Sequence, residues 1–334
     1  MQIYRHIETL DEKARGAVVA LGTYDGFHQG HQKVIGYAGR VADELKAPLA
    51  VLTTEPHPRY YFNPGQPPFL LTPFRAKARH LESFGVDILY ALPFDGDLAG
   101  TPAESFIEDI LVGHLGVRHV FVGFNYHFGQ GRKGDAAMLK AFGERHGFGV
   151  TVVEPVAVGV EGAAGETYSS TLIRNALRNG EARRAAALLG HWWTLEGHVV
   201  KGDQRGRTIG FPTLNLPMGD YIEPKLGVYA VRVALEGGRL IDGVANIGRR
   251  PTFDKEDVLL EAHLFDFDED IYGKLISVAL IAFIRPEMKF SGLDALKTQI
   301  TEDQVSAKAL LSDPDNAADR FPAPKRAKSL DLGA

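Results

Sequence analysis

Hydrophobic and polar positions fall into two textures along the chain. Up to about residue 187, short apolar runs alternate with helical stripes. AVVAL at 17–21, LAVLTTE at 49–55, and the segments 87–92, 119–123 and 150–156 read as strands. Between the first two, Val34, Ile35, Ala38, Val41, Ala42 and Leu45 recur with a helical period and predict a helix over 32–46. Similar patterning predicts helices over 72–84, 101–115 and 135–146, with Pro102 near the start of the second. Strand and helix in alternation at this spacing predict an α/β fold with a doubly wound parallel sheet. Such sheets bind ligands beyond the carboxyl ends of their strands. That directs attention to the loops after Leu21, Leu52 and Gly123.

The second texture has strands and turns without intervening helices. An alanine-rich helical segment, 174–189, is broken at Gly180. After His191 come LEGHVVKG, GVYAVRVAL, RLIDGVANIG, LLEAHLFDF and LISVALIAFI, separated by Gly, Pro and Asp turns. This pattern predicts an antiparallel β-barrel, followed by a C-terminal helix over about 292–310. The expected domains are 1–186 and 187–334, with the Pro- and charge-rich stretch from about residue 312 expected to be mobile.

Composition narrows the function. The 334 residues suffice for two domains with their own cores. There is no cysteine, which excludes disulfides, thiol nucleophiles and thiolate metal sites, and suits a reducing cytoplasm. Lys plus Arg number 37 against 42 Asp plus Glu, a net charge of −5, which argues against a nucleic-acid partner. The longest apolar run, Leu275 to Ile284, is about half the roughly 20 residues that span a bilayer. With no apolar signal-like stretch near Met1, no membrane association is expected and the protein is placed in the cytoplasm.

Candidate chemistry sits in a few loops. GTYDGFHQGH, residues 22–31, joins a buried strand to a helix. His28 and His31 are three apart where a helix begins, and helix N-termini attract anions. Gly22, Gly26 and Gly30 let the backbone turn close to a phosphate, and Asp25 is a further candidate of the same phosphate-binding loop. The alternative is one capping and one surface histidine. Ser169, Ser170 and Thr171 precede a helical pattern, with Arg174 a turn inside it. They read as a phosphate clamp or as a plain helix cap. The aromatic- and glycine-rich segment 121–135, with Asn125, and the TEPHP segment with His57 are candidate walls for a planar ring.

The second half carries GDQRGRTIGFPTLN. Gly202, Arg207, Gly210 and Pro212 form a candidate phosphate loop. Thr213 and Asn215, two apart, share a face if extended and offer neutral oxygens suited to Mg²⁺. Glu261, on a predicted strand, is a candidate general base, or alternatively an exposed charge. Asn246 and Arg250 lie in a predicted tight loop, VANIGRRPTF.

These motifs together resemble the bifunctional prokaryotic riboflavin kinase/FAD synthetase family. GTYDGFHQGH, TEPHP, VGFNYHFGQGRKGD and SSTLIR resemble its adenylyltransferase half, a nucleotidyltransferase of the HxGH type. GDQRGRTIGFPTLN, GVYAV, GVANIGRRPTF, LEAHLFDFDEDIYGK and FIRPEMKF resemble its flavokinase half. The likeness covers about residues 15–310. Leu214 stands where the family usually has Ala, and Thr23 and Tyr24 where Asn and Phe are common. Asn125 and His127 stand where an acid and an Arg are frequent. The resemblance implies two consecutive reactions, riboflavin to FMN and FMN to FAD, with ATP as the second substrate of each. It implies His28, His31 and Arg174 as catalytic groups of adenylyl transfer and Glu261 as the kinase base. It also implies Mg²⁺ on Thr213 and Asn215, with flavins near His57, Asn125, Asn246 and Arg250. Three other readings are a single adenylyltransferase with an inert barrel, a class I aminoacyl-tRNA synthetase and a flavin carrier. The intact kinase loop, the lack of a KMSKS-like loop and the two ATP motifs argue against them in turn. Self-association is left open by the sequence.

Overall fold

The computed structural model describes residues 1–159, 165–201, 210–251 and 256–322. By contacts, the chain divides into two compact units. One holds Met1–Pro67 and Phe74–Tyr168; the other holds Pro68–Pro73 and Ser169–Ala323.

The first unit is built on six parallel strands: β1 (Gln2–Tyr4), β2 (Val18–Leu21), β3 (Leu49–Glu55), β4 (Ile88–Pro93), β5 (His119–Gly123) and β6 (Gly149–Val153). Their order is β1-β4-β3-β2-β5-β6. The direction of winding reverses between β2 and β5, which places the switch point at their carboxyl ends. Alternation along β2 explains the two layers. Val18 and Ala20 join one buried cluster, and Val19 and Leu21 the other. The first cluster receives Val34, Ile35, Ala38 and Ala42 of α1 (Gln29–Leu45), with Leu81. The other receives Phe106, Ile107 and Leu111.

The helix predicted over 32–46 begins earlier, at Gln29, because His28 caps it. Short helices follow at α2 (Pro58–Phe62), α3 (Phe74–Ser83), α4 (Gly96–Gly100) and α5 (Ala103–Ser105). The segment predicted as one helix from Thr101 continues from α5 with π-helical winding over Phe106–His114. α6 (Ala136–His146) starts at Asp135, whose carboxylate accepts from the Met138 N–H. Strand β1 escaped the sequence reading, because three residues show no period.

The second unit starts with α7 (Ser170–Arg178) and α8 (Ala182–Leu189), separated at Gly180, whose φ of +80° ends the first helix. Composition groups this pair with the first half of the chain, whereas contacts group it with the second. The reason is its alanine face: Ala186 lies in one cluster with Trp192, Val228 and Ile281. Six strands follow: β7 (Thr194–His198), β8 (Leu214–Pro217), β9 (Gly227–Ala234), β10 (Leu240–Pro251), β11 (Glu256–Leu264) and β12 (Leu275–Arg285). They pair antiparallel in the order β7-β12-β9-β10-β11-β8. A bridge between Val200, just past β7, and Asn215 of β8 nearly closes the barrel.

The last helix, α9 (Leu293–Ser312), is clamped to β12 by the Arg285–Asp303 pair, with Nη2···Oδ2 at 2.7 Å and Nε···Oδ1 at 2.8 Å. The stretch beyond residue 312, expected to be mobile, is packed as far as Phe321. Asn316 is buried, and the Phe321 ring meets Trp192 edge-on at 5.1 Å. Arg232 donates to the carbonyls of Leu311 and Asn316, which ties this segment to β9.

Candidate active sites

In the first unit, a cavity of about 760 Å³ opens at the carboxyl ends of β2, β3 and β5. The residue types of its wall follow from the strand–loop junctions. Gly22 and Thr23 follow β2, Thr53 and Thr54 end β3, and Asn125 to Phe128 follow β5. His31, His57, His127, Arg59 and Arg132 also line it, and among the described residues no carboxylate does. A cleft lined by one sign of potential charge concentrates ligands of the opposite sign. The sequence reading passed over Arg59 and Arg132. Arg132 lies inside the VGFNYHFGQGRKGD motif and Arg59 directly follows TEPHP, but a loop arginine carries no period to mark which way it points.

The capping reading holds for His28. His28 is the N-cap of α1, and its Nδ1 accepts from the His31 N–H at 3.3 Å. An accepting Nδ1 puts the proton of neutral His28 on Nε2, so the cap fixes the tautomer. The rings of His28 and His31 stack at 3.6 Å. Gly30 lies between them because a Cβ there would come within 3.2 Å of the His28 ring and 3.3 Å of Tyr168 Cβ. Asp25 and Gly26 are buried within the same loop. Burial holds the His31 pKa well below its usual value, with His28 and Lys77 adding to the effect.

Lys77 is 1% exposed and pairs with Glu55 at 2.6 Å. It occupies the apolar stripe of α3 four residues before Leu81, and that misplaced charge was the signal available in the sequence. His57 caps α2 in the same way as His28, its Nδ1 accepting from the Arg59 N–H at 3.1 Å. At the mouth of the cavity, Phe62 is 63% exposed and meets Phe94 and Tyr61 edge-on at 5.7 and 5.2 Å.

The serine motif lies in the second unit. Ser169 caps α7, its Oγ accepting from the Leu172 N–H, so the plain-cap reading holds for that hydroxyl. Ser170 and Thr171 form the first turn of the helix. Arg174 donates through Nε to the Phe69 carbonyl at 2.9 Å, and its guanidinium covers the Phe69 ring at 5.3 Å.

The barrel brings three predicted residues to one rung. Asn246 of β10 pairs with Glu261 of β11, and Glu261 pairs with Asn215 of β8. Residues paired across adjacent strands share a face. The residues next to them, Ala245, Ala262 and Leu214, are buried on the opposite face. Asn215 is 3% exposed, and its Oδ1 has no hydrogen-bond partner among the described residues. A buried carbonyl oxygen without a donor fits a hard cation.

A separate cavity of about 390 Å³ is lined by Pro212, Thr213 and Leu214 together with Ala262, Phe267 and Tyr272. Glu261 and Asn215 are not part of that wall. The Pro212 carbonyl accepts from His263 Nδ1 at 2.8 Å. Gly210 has a left-handed backbone with φ +91°. Gly202 and Arg207 fall outside the described residues, as does the side chain of Arg250.

A parallel-sheet unit with an HxGH loop at its switch point, followed by an antiparallel barrel, defines a two-module nucleotide-dependent transferase. Family models agree module by module, with FAD synthetase matching residues 10–171 and riboflavin kinase residues 189–311. A bifunctional riboflavin kinase/FMN adenylyltransferase from Haemophilus influenzae is 40% identical over 93% of this chain and all of its own. Its namesake from Escherichia coli K12 is 39% identical over 92% of this chain and 97% of its own. The Bacillus subtilis protein of that name is 38% identical over 89% and 93%. The chain belongs to the family of bifunctional riboflavin kinase/FMN adenylyltransferases. A crystal structure described as a macrolide-efflux protein from Streptococcus pneumoniae superposes with a TM-score of 0.80 at 31% identity, covering 92% of this chain and 98% of that one. Among the described residues of the present chain, no helix is long and apolar enough to cross a membrane.

Proposed function

We propose that the two reactions of this enzyme are divided at about residue 186, with adenylyl transfer before it and the kinase reaction after it. The kinase moves the γ-phosphoryl group of ATP to the 5′-hydroxyl of riboflavin, giving FMN and ADP. The adenylyltransferase joins AMP from a second ATP to FMN, giving FAD and pyrophosphate. The observation that carries the division is the contrast in linings: histidines and arginines without a carboxylate in one unit, and a Glu–Asn rung in the other.

A ribityl hydroxyl is a weak nucleophile at neutral pH. Glu261 is assigned to take its proton as the O–P bond forms and the bond to ADP breaks. Thr213 and Asn215 would hold Mg²⁺, which supplies charge neutralisation on the ATP phosphates when bound. Gly202, Arg207, Gly210 and Pro212 are assigned to the phosphates, and Asn246 and Arg250 to the flavin.

The FMN phosphate is already ionised and needs no base. It needs positive charge and alignment, because one anion must approach another. His28 Nε2–H and His31 are assigned to the ATP phosphates with the backbone of Gly22, Asp25, Gly26 and Gly30. Ser169, Ser170, Thr171 and Arg174 are assigned to the same substrate. His57 and Asn125 are assigned to the flavin, with the Phe62 face as its stacking partner. The lack of cysteine supports a cytoplasmic setting.

The test is a time course with purified protein, riboflavin, ATP and Mg²⁺. FMN is expected first and FAD second. Production of FAD without an FMN intermediate would overturn the order. FMN that is never converted would overturn the first assignment.

A further inference from the structure

Two buried polar atoms in the wall of the first cavity lack hydrogen-bond partners, and they sit on touching rings. Tyr24 is 2% exposed, and its hydroxyl has no hydrogen-bond partner among the described residues. His31 Nδ1 likewise has none among them. The rings meet edge-on, with centroids 5.1 Å apart and planes at 72°. Both residues line the cavity.

The backbone holds Tyr24 there at a cost. Its φ is +49°, a region that side chains other than glycine rarely adopt. The ring lies against Gly22, where a Cβ would come within 3.0 Å of Cζ and 3.4 Å of the hydroxyl. Strain of this kind persists where the surroundings impose it, and it collects at functional sites.

The chemistry of the two atoms is complementary. A protonated phenol donates, and a neutral imidazole has one nitrogen that accepts. We propose that Tyr24 is a positioning residue for adenylyl transfer: in the ligand-bound site its hydroxyl donates to His31 Nδ1, which leaves the Nε2–H of His31 to face the substrate phosphates. The inference rests on the assignment of His31 to that reaction. The surrounding charges favour the required proton states. His28 in the same turn and Lys77 of α3 both oppose a positive His31, and Lys77 is itself paired with Glu55. Burial and Tyr126, from the loop after β5, both oppose a phenolate at Tyr24.

The test is Tyr24→Phe in the full chain, which keeps the ring and removes only the hydroxyl. FAD formation from FMN is expected to slow about fivefold, the loss of one hydrogen bond. KM for FMN is expected to hold, and FMN formation from riboflavin serves as the internal control. Without its donor, neutral His31 is less favoured, so the acid limb of the rate profile moves to higher pH. Nitrogen NMR of His31 with Mg²⁺ and a non-hydrolysable ATP analogue reads the tautomer directly. The Nε2–H form is expected in the native chain and a mixture in the variant. An unchanged rate and pH profile, or the same tautomer in both chains, overturns the proposal. His31→Asn tests the underlying assignment separately: full adenylyl transfer in that variant would remove His31 from the site altogether.

Discussion

On the proposed division of labour, the two units meet opposite electrostatic demands with the same substrate, ATP. In the parallel-sheet unit, a cavity at the switch point gathers three histidines and two arginines and, among the described residues, no carboxylate. In the barrel, the predicted residues form a rung of Asn246, Glu261 and Asn215 across three strands. One arrangement suits a nucleophile that is already an anion. The other suits a neutral hydroxyl that must lose a proton. The lesson is that the protonation state of the acceptor, more than the shared ATP, sets which side chains a phosphate-handling site needs.

The sharpest way to break this comparison is Glu261→Gln. Loss of the proposed general base should reduce FMN formation about a thousandfold, while FAD formation from supplied FMN continues. Retained kinase turnover in a riboflavin assay would assign the proton transfer to another group. Next comes His28→Ala, which removes both the proposed phosphate donor and the cap of α1. FAD formation should fall about a hundredfold with FMN formation nearly unchanged. Equal loss of both products would show that the two sites do not act separately.

Arg132→Gln probes the carboxylate-free lining itself. It should raise KM in FAD formation about tenfold and flatten its dependence on salt, leaving riboflavin phosphorylation as it was. An unaltered salt dependence would mean that the cavity does not use that charge.

The smallest effect concerns pH. Burial holds the folded pKa of His31 below the unfolded value of about 6.5. The stability linked to it is therefore present above pH 6.5 and is lost as pH falls from there toward the folded value. Chemical denaturation of the first unit should show a falling midpoint on acidification through that window. His31→Gln should lack this component. An identical pH slope in both proteins would count against a buried neutral His31.

The fold was legible where a period was long enough to count. The α1 stripe and the β2, β3 and β5 runs appear within a few residues of their predicted positions. Gly180 separates two helices as predicted, because its backbone conformation is a local property. Strand β1 was not legible, since a three-residue edge strand takes its structure from its neighbour β4. Nor was the packing of residues 313–322. Their composition suggests mobility, but Arg232 and Trp192, distant in sequence, hold them in place.

For the sites, the sequence by itself determined the chemistry available: no thiol, an HxGH loop, a serine-capped helix carrying Arg174, and a Thr-x-Asn pair. These are readable because residue type and close spacing are local. Only the tertiary structure decided which groups converge. It turned His28 into a cap that fixes its own tautomer, and it brought Arg59 and Arg132 to one cavity with His31. It aligned Asn246, Glu261 and Asn215 through strand register. The physical reason is that burial, register and field depend on neighbours dozens of residues away, whereas motifs and periods do not.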